Sequence, residues 1–303
     1  MHFASWELIN RLVPRDDGTR ATLKKLRDDQ ALIASLTTEF GNNGDITKTK
    51  SMVEHDDDKF HMSKETPICS YLEEADAVMA LSHFLDKDDK KRLGVALYRS
   101  DQLDLTRLWD WDAIGMRGTQ SHGFHVKANS KTDPILSDPS GNALRAVLTP
   151  ASHLFWAATW FGIFDSVLDM VIEMLKSGKE ASPAAITQAS IRLDTITASR
   201  DALFATFDKQ INRYIALQNG DSAFGFRDVI EFNDLKVDVS TQLSHAMLDL
   251  MTILGTRHYT DMDNNIVWRK FRDLSSSMFM ISNDLINANS ATLRRLAEHK
   301  KHA

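Results

Sequence analysis

Apolar residues recur at steps of three and four through the second half of the chain, whereas short alternating runs fill its middle. A helix gathers positions i, i+3 and i+4 on one face and a strand alternates faces, so the two spacings separate two kinds of structure. From Leu154 to Leu175 the chain is apolar nearly all round. A second stripe runs Leu193, Ile196, Leu203, Phe207, Ile211 and Ile215, and Asn219-Gly220 ends it. A third runs Leu235, Val239, Leu243, Ala246, Leu250 and Leu254, stopped by Gly255. A fourth runs Val267, Phe271, Leu274, Met278, Ile281, Leu285 and Ala288. Gly178 closes the first stripe, and Ser182-Pro183 supplies the N-cap and first-turn proline of the second. Four such helices joined by short loops predict an antiparallel four-helix bundle.

The middle reads differently. The runs 47–53 and 59–63 flank the acidic loop Glu54-His-Asp-Asp-Asp58, which predicts a hairpin with a solvated tip. Ala77 to Phe84 and Leu93 to Tyr98 are further strands, and Leu105 to Val126 is β-rich sequence broken by Gly115, Gly118 and Gly123. Many short strands with glycine breaks suggest a small β-barrel-like domain. Helical spacing at Leu23, Leu26 and Ile33 marks a short amino-terminal piece. The fold class expected is therefore α+β, with a helical remnant at 1–36, a β-rich domain at 37–145 and the bundle at 146–303.

Charge and composition narrow the function. A net charge of -6 opposes binding to nucleic acid. One cysteine, Cys69, excludes an internal disulfide and a multi-cysteine metal site. Asp165, Asp169 and Glu173 interrupt the most apolar stretch, and residues 1–17 form no uninterrupted apolar core, so neither a membrane span nor a secretory signal is expected. A cytoplasmic protein is the expectation. The acidic loop lacks the spaced ligands and glycine of a calcium loop. His122 and His125, read as one strand, face opposite ways, so no metal site is expected. In the first bundle helix, Phe155, Trp156, Trp160, Phe161 and Phe164 cover more than one face. One core would not hide them all, which predicts a homodimer or homotetramer.

Five segments in order resemble the acyl-CoA dehydrogenase superfamily of flavoproteins. Leu36-Thr-Thr-Glu-Phe-Gly-Asn-Asn-Gly-Asp45 is similar to its "LTEPGAGSD" stretch, and Phe60 to Ala77 to its "WITNG…AD" strand pair. Trp111-Asp-Ala-Ile-Gly-Met-Arg-Gly-Thr-Gln-Ser121 is close to "W…GMRGTGS", the most specific of the five. Ala151 to Asp169 follows the helix that opens the family's bundle. Gly255-Thr-Arg-His-Tyr259 with Trp268-Arg-Lys-Phe-Arg-Asp273 looks like the element before its last helix. The resemblance spans 34 to about 300, leaving only a remnant of the family's amino-terminal helical domain.

The resemblance implies FAD and an acyl thioester substrate. It places Thr38 against the flavin pyrimidine, Ser70 at flavin N5 or O4, and Gly44 at the diphosphate through its backbone N–H. It also exposes departures. The stacking tryptophan of the family is Ile68 here. The two positions for a proton-abstracting carboxylate are Ile281 and Ser152, so the catalytic residue is left unassigned. Asp284 is the nearest acid to the first, and His153 adjoins the second, where capping or solvent exposure is its ordinary role. Two alternatives follow: a reduced-flavin monooxygenase of the same superfamily, or a silent subunit that pairs with a complete homologue.

Overall fold

The computed structural model describes residues 1–42, 45–46, 48–56, 58–138, 140–177, 183–255 and 265–299. It divides into two compact units, one of Met1–Ala113 with Arg117–Leu148 and one of Ile114–Met116 with Thr149–Ala303. Strands and two short helices make up the first unit and long helices the second, an α+β fold.

The first unit is built on two sheets. The five-stranded sheet runs in the order β1 (Val13–Pro14), β9 (Ile135–Ser137), β6 (Lys91–Arg99), β5 (Ala77–Leu85) and β2 (Ile33–Leu36). The four-stranded antiparallel sheet runs β3 (Glu54–Asp56), β4 (Lys59–Thr66), β8 (Gly123–Ser130) and β7 (Leu103–Trp109). Strand alternation turns Met62, Phe124, Val126 and Ala128 inward, where they meet Ala34, Leu36, Val78 and Tyr98 of the other sheet in one core. Helices α1 (His2–Ile9) and α2 (Asp17–Asp28) complete the unit, and Asp16 caps α2 by accepting the Thr19 N–H at 2.6 Å.

Three expectations change here. The hairpin exists, but its first strand is the acidic segment Glu54–Asp56 itself, paired with Lys59–His61. Charge did not prevent strand formation because all three of its residues are exposed. Ile33 belongs to β2, where it pairs in parallel with Ala77, rather than to a helix. His122 lies before β8, not within it; its Nδ1 accepts the Trp111 N–H at 2.9 Å.

The second unit holds α3 (Thr149–Ser177), α4 (Pro183–Asn219), α5 (Phe226–Leu254), α6 (Ile266–Ser275) and α7 (Asn283–His299). Gly220 and Gly255 end α4 and α5 with φ of +80° and +71°; Gly178 and Ser182 lie outside the described residues. The fourth helix, expected to be continuous, is broken into α6, a single tight turn at Ser276–Met278, and α7. Ser275 and Ser276 turn their hydroxyls back onto the Phe271 and Arg272 carbonyls at 2.7 and 2.9 Å, a habit that bends helices. After the break the buried face slips by a residue or two: Leu285 and Ala288 are exposed, and Ile286 and Ser290 are buried.

One lysine holds the break together. Lys236, on the core face of α5, is fully buried. Its ammonium donates to the Ser277 and Ile281 carbonyls at 3.1 and 2.7 Å and to Asn283 Oδ1 at 2.6 Å. It also lies 5.8 Å from the Trp160 ring centroid. Burial pushes its pKa down to about 8. The carbonyls freed by the interrupted helix thus find a donor inside the bundle.

The aromatic surplus of α3 is also absorbed differently from expectation. Trp160, Phe161 and Phe164 are buried within this unit, where Phe161 packs on Phe204 and Phe207 of α4 at 5.2 and 5.5 Å. Phe155 alone of the five is well exposed. The bundle hides more than one face of α3 because α4, α5 and α6 all pack on it. Among the described residues, Leu144–Ser177 is the one helix long and apolar enough to cross a membrane. Its Asp165 forms a two-pronged pair with Arg200, at 2.9 and 2.5 Å.

Replacing Lys236 by Ala strands the buried Ser277 carbonyl and takes a donor from the half-buried Ile281 carbonyl and Asn283 Oδ1. An unsatisfied buried acceptor costs about 1–3 kcal/mol, so urea denaturation should show a loss of about 2 kcal/mol or more; a variant as stable as the parent would contradict this role.

Candidate functional site

The segment leaving β2 carries Thr38 and Phe40, and the residue between them fixes it. Glu39 is buried. Its Oε2 accepts from the Thr49 hydroxyl at 2.5 Å and the Lys50 N–H at 3.0 Å. Lys64 reaches the same oxygen at 3.6 Å from the inward face of β4, and donates to the Leu81 carbonyl at 2.8 Å. Burial pushes Lys64 down to about 8 although Glu39 opposes the shift. Burial works to raise Glu39, but the Thr49 hydroxyl, Lys64 and the Lys50 and Ser51 amides outweigh it, and its pKa is lowered. Both groups are thereby charged at neutral pH, and the loop is tied to the sheet beneath it. Asn42 adds a clamp, donating to the Thr37 and Lys48 carbonyls at 3.2 and 3.4 Å.

Thr38 is half-buried, and its hydroxyl has no hydrogen-bond partner among the described residues. Ser70 stands in the turn after β4, also half-buried. Its hydroxyl lies 2.8 Å from that of Ser121, which lies 2.7 Å from that of Thr119. Three hydroxyls in a row orient one another and leave Ser70 with capacity for a further acceptor or donor. The turn is fastened by the Cys69 N–H to the His122 carbonyl at 3.1 Å and the Tyr71 N–H to the Thr119 carbonyl at 2.9 Å. Cys69 itself is buried, which pushes its thiol up to about 12 and keeps it protonated. Ile68, at the position of the family's stacking tryptophan, is exposed. Gly44 lies outside the described residues.

The most specific motif has a structural meaning. Within the second unit, a Cβ on Gly115 would lie 2.1 Å from the Arg272 carbonyl oxygen, so only glycine fits. Met116 follows at φ +54°, and its N–H donates to Asp273 at 2.6 Å. Two of the five resembling segments therefore meet in one contact.

The bundle positions offer no proton acceptor. Ser152 is buried. Ile281 is half-buried, with its carbonyl committed to Lys236. Asp284 is exposed in the first turn of α7. His153 is neither a cap nor solvent-facing: it is buried, with Nδ1 3.0 Å from the Phe232 carbonyl and its ring 5.9 Å from that of Trp156. A neutral ring donates there, and α5 supplies the oxygen, which explains why a polar residue is tolerated in the core.

Elsewhere in the first unit, a cavity of about 650 Å³ opens along β4 and β8, lined by Glu39, Phe40, Lys50, Ser51, Ser63, Lys64 and Lys127 among others. Ser63 Oγ lies 2.9 Å from His125 Nε2 on the outer face of that sheet. Sequence reading passed over Glu39, Lys64, Thr119 and Ser121. The signal for Lys64 was available, since it shares strand parity with Met62 and Thr66, which face the core.

No family model matches the chain, and no curated protein matches it. Solved structures do. The glutaryl-coenzyme A dehydrogenase in its glutaryl-CoA complex superposes with a TM-score of 0.75 at 15% identity, over 98% of this chain and 74% of that one. The prolyl acyl carrier protein oxidase AnaB gives 0.70 at 17%, over 87% and 68%. FMN-bound TdsC, the dibenzothiophene monooxygenase of Paenibacillus sp. A11-2, gives 0.70 at 15%, over 96% and 76%. At these identities the likeness establishes the fold: that of the acyl-CoA dehydrogenase-like flavoproteins.

Burial pushes His153 down to about 4, with Lys236 adding to the effect and the Phe232 carbonyl opposing it. The unfolded chain binds that proton near the ordinary 6.5, so protons favour unfolding between 6.5 and 4. The stability tied to neutral His153 is complete above 6.5 and is lost as pH falls through this window, by about 3 kcal/mol in all. His153→Gln, which keeps a donor, should be less sensitive to acid than the parent in urea unfolding at about pH 7 and pH 4.5. Equal acid sensitivity in the two proteins would refute it.

Proposed function

We propose that this protein is a flavin-dependent oxidoreductase that holds FAD or FMN at the Thr38 and Ser70 end of its β-rich unit. The observation that carries the reading is a pair of available hydroxyls: that of Thr38, without a hydrogen-bond partner among the described residues, and that of Ser70, oriented by Ser121 and Thr119 two residues from the exposed Ile68; the two segments are linked by the Cys69 thiol, which donates to the Ser35 carbonyl at 3.5 Å. Hydroxyls of this kind suit the carbonyls and ring nitrogens along the polar edge of a flavin. The bound flavin would supply two-electron transfer. The chain's part is to bind it, orient it and keep the loop beneath it rigid through Glu39 and Lys64.

The absent base guides the choice of reaction. Abstraction of an α-proton from an acyl thioester requires a positioned carboxylate. Ile281, Ser152 and the buried, neutral His153 offer none, and Asp284 is exposed. Oxygenation of a small molecule by reduced flavin and dioxygen makes no such demand at these positions. One oxygen atom enters the substrate and the other leaves as water, with two electrons drawn from the reduced flavin. We therefore favour the monooxygenase reading over acyl thioester dehydrogenation. A homo-oligomer remains part of the proposal, with Phe155 of α3 and Leu248 of α5 as exposed apolar residues available for it.

Flavin-loaded protein mixed anaerobically with a panel of acyl-CoA thioesters should bleach at least 100-fold more slowly than expected of an enzyme with its base, the loss ordinarily seen when general-base catalysis is removed being about 10²–10⁴-fold. The same protein, reduced and given dioxygen, should consume it. Rapid stoichiometric bleaching by a thioester would overturn the choice of reaction, and failure to take up either flavin would overturn the proposal.

A further inference from the structure

Ile68 leaves the flavin reading without an aromatic surface at the expected position, yet the first unit exposes one close by. Trp109 ends β7 and is 42% exposed, and Phe40 is 41% exposed. The two rings meet edge to face, with centroids 5.4 Å apart and planes at 70°. The arrangement is built into the sheet. The β7–β8 register shifts between Arg107 and Trp109, which brings Trp109 opposite Gly123. A Cβ on Gly123 would fall 2.3–2.7 Å from indole atoms of Trp109, so the missing side chain is what lets the ring lie down on β8.

The neighbours of this ring are the flavin-reading residues themselves. Along the chain entering β8, Ser121 meets the Ser70 hydroxyl, the His122 carbonyl receives the Cys69 N–H, and Gly123 carries Trp109. Ser121 and Gly123 are two residues apart, a separation of at most about 7 Å along the chain. A hydroxyl donor and an indole face thus stand within the span of one three-ring heterocycle. Phe40 joins the same surface from the Thr38 side, on the loop that Glu39 and Lys64 fix. Two large aromatics left open to water, beside a Ser70 hydroxyl that Ser121 orients and that can make a further hydrogen bond, suit a flat ligand with one polar edge, and an isoalloxazine is such a ligand.

We propose that Trp109, buttressed by Phe40, is the aromatic contact of the flavin ring in this protein, in the role that Ile68 cannot fill. The inference rests on the flavin reading above, and its test separates the two. Wild-type protein, Trp109→Phe, Trp109→Leu and Phe40→Leu are titrated with FMN and with FAD, recording flavin emission and affinity, after each variant's melting curve is taken. Wild-type should quench bound flavin strongly. Trp109→Leu should leave the bound flavin brighter and weaken binding about 3- to 10-fold, the range for one aromatic pair. Trp109→Phe should keep most of the affinity while losing part of the quenching, a pattern that a merely structural role for the indole would not produce. Should Trp109→Leu fail to fold, Trp109→Phe and Phe40→Leu carry the test, the latter with a smaller loss of affinity. Wild-type binding matched in affinity and emission by the Trp109 variants would overturn the stacking role alone. Wild-type protein that binds neither flavin would overturn the flavin reading and this inference together.

Discussion

A buried ammonium must be surrounded by acceptors, and each unit of this protein is organised by one. Lys64 points into the β-rich core because strand parity leaves it no other direction. It is tolerable there only because Glu39, Thr49 and the Leu81 carbonyl come to it. That requirement pulls the loop after β2 down onto the sheet and fixes the positions of Thr38 and Phe40 on either side of Glu39. In the bundle, Lys236 gathers the Ser277 and Ile281 carbonyls and Asn283, and so sets where α6 stops and α7 starts. Removing either partner of such a contact leaves a desolvated group behind, which costs more than the contact itself contributes.

Function follows from what these anchors hold still. The loop fixed by Lys64 and Glu39 carries one hydroxyl and one aromatic ring, and the turn after β4 carries the second hydroxyl, braced by Ser121 and Thr119. The turn fixed by Lys236 carries the position where the resembling family places a base, and here that position is apolar, its carbonyl already used. Preorganised hydroxyls in the first unit suit the polar edge of a flavin, and the two positions in the second unit where the resembling family places a base carry no carboxylate, which is why we favour a reaction without α-proton removal there.

Much of this was legible before any coordinates. Stripes at steps of three and four located α3, α4 and α5, and glycines at 220 and 255 marked two of their ends, because helix termination by a left-handed residue is a local property. The break between α6 and α7 was not legible: the apolar stripe continues through it, and the lysine that satisfies its freed carbonyls stands some forty residues earlier, where only folding brings it near. The strand at Glu54–Asp56 was missed for a related reason, since its composition reads as a loop and pairing to β4 overrides propensity. Among the residues proposed for the flavin, Thr38 and Ser70 were named through the family pattern, whereas Trp109 was hidden because its proposed role depends on a register shift opposite Gly123. His153 was misjudged because exposure statistics do not know that the Phe232 carbonyl is waiting in the core.

The central claim is that the Thr38 and Ser70 end of the β-rich unit is a flavin site. The most direct measurement is the visible absorption of the protein after incubation with FAD or FMN and removal of free flavin on a desalting column, for the parent and for a Thr38→Val, Ser70→Ala double variant. The account predicts flavin retained by the parent in near-stoichiometric amount and largely lost from a variant that folds as the parent does. A parent that emerges colourless, or a folded variant that retains flavin as well as the parent, would contradict it.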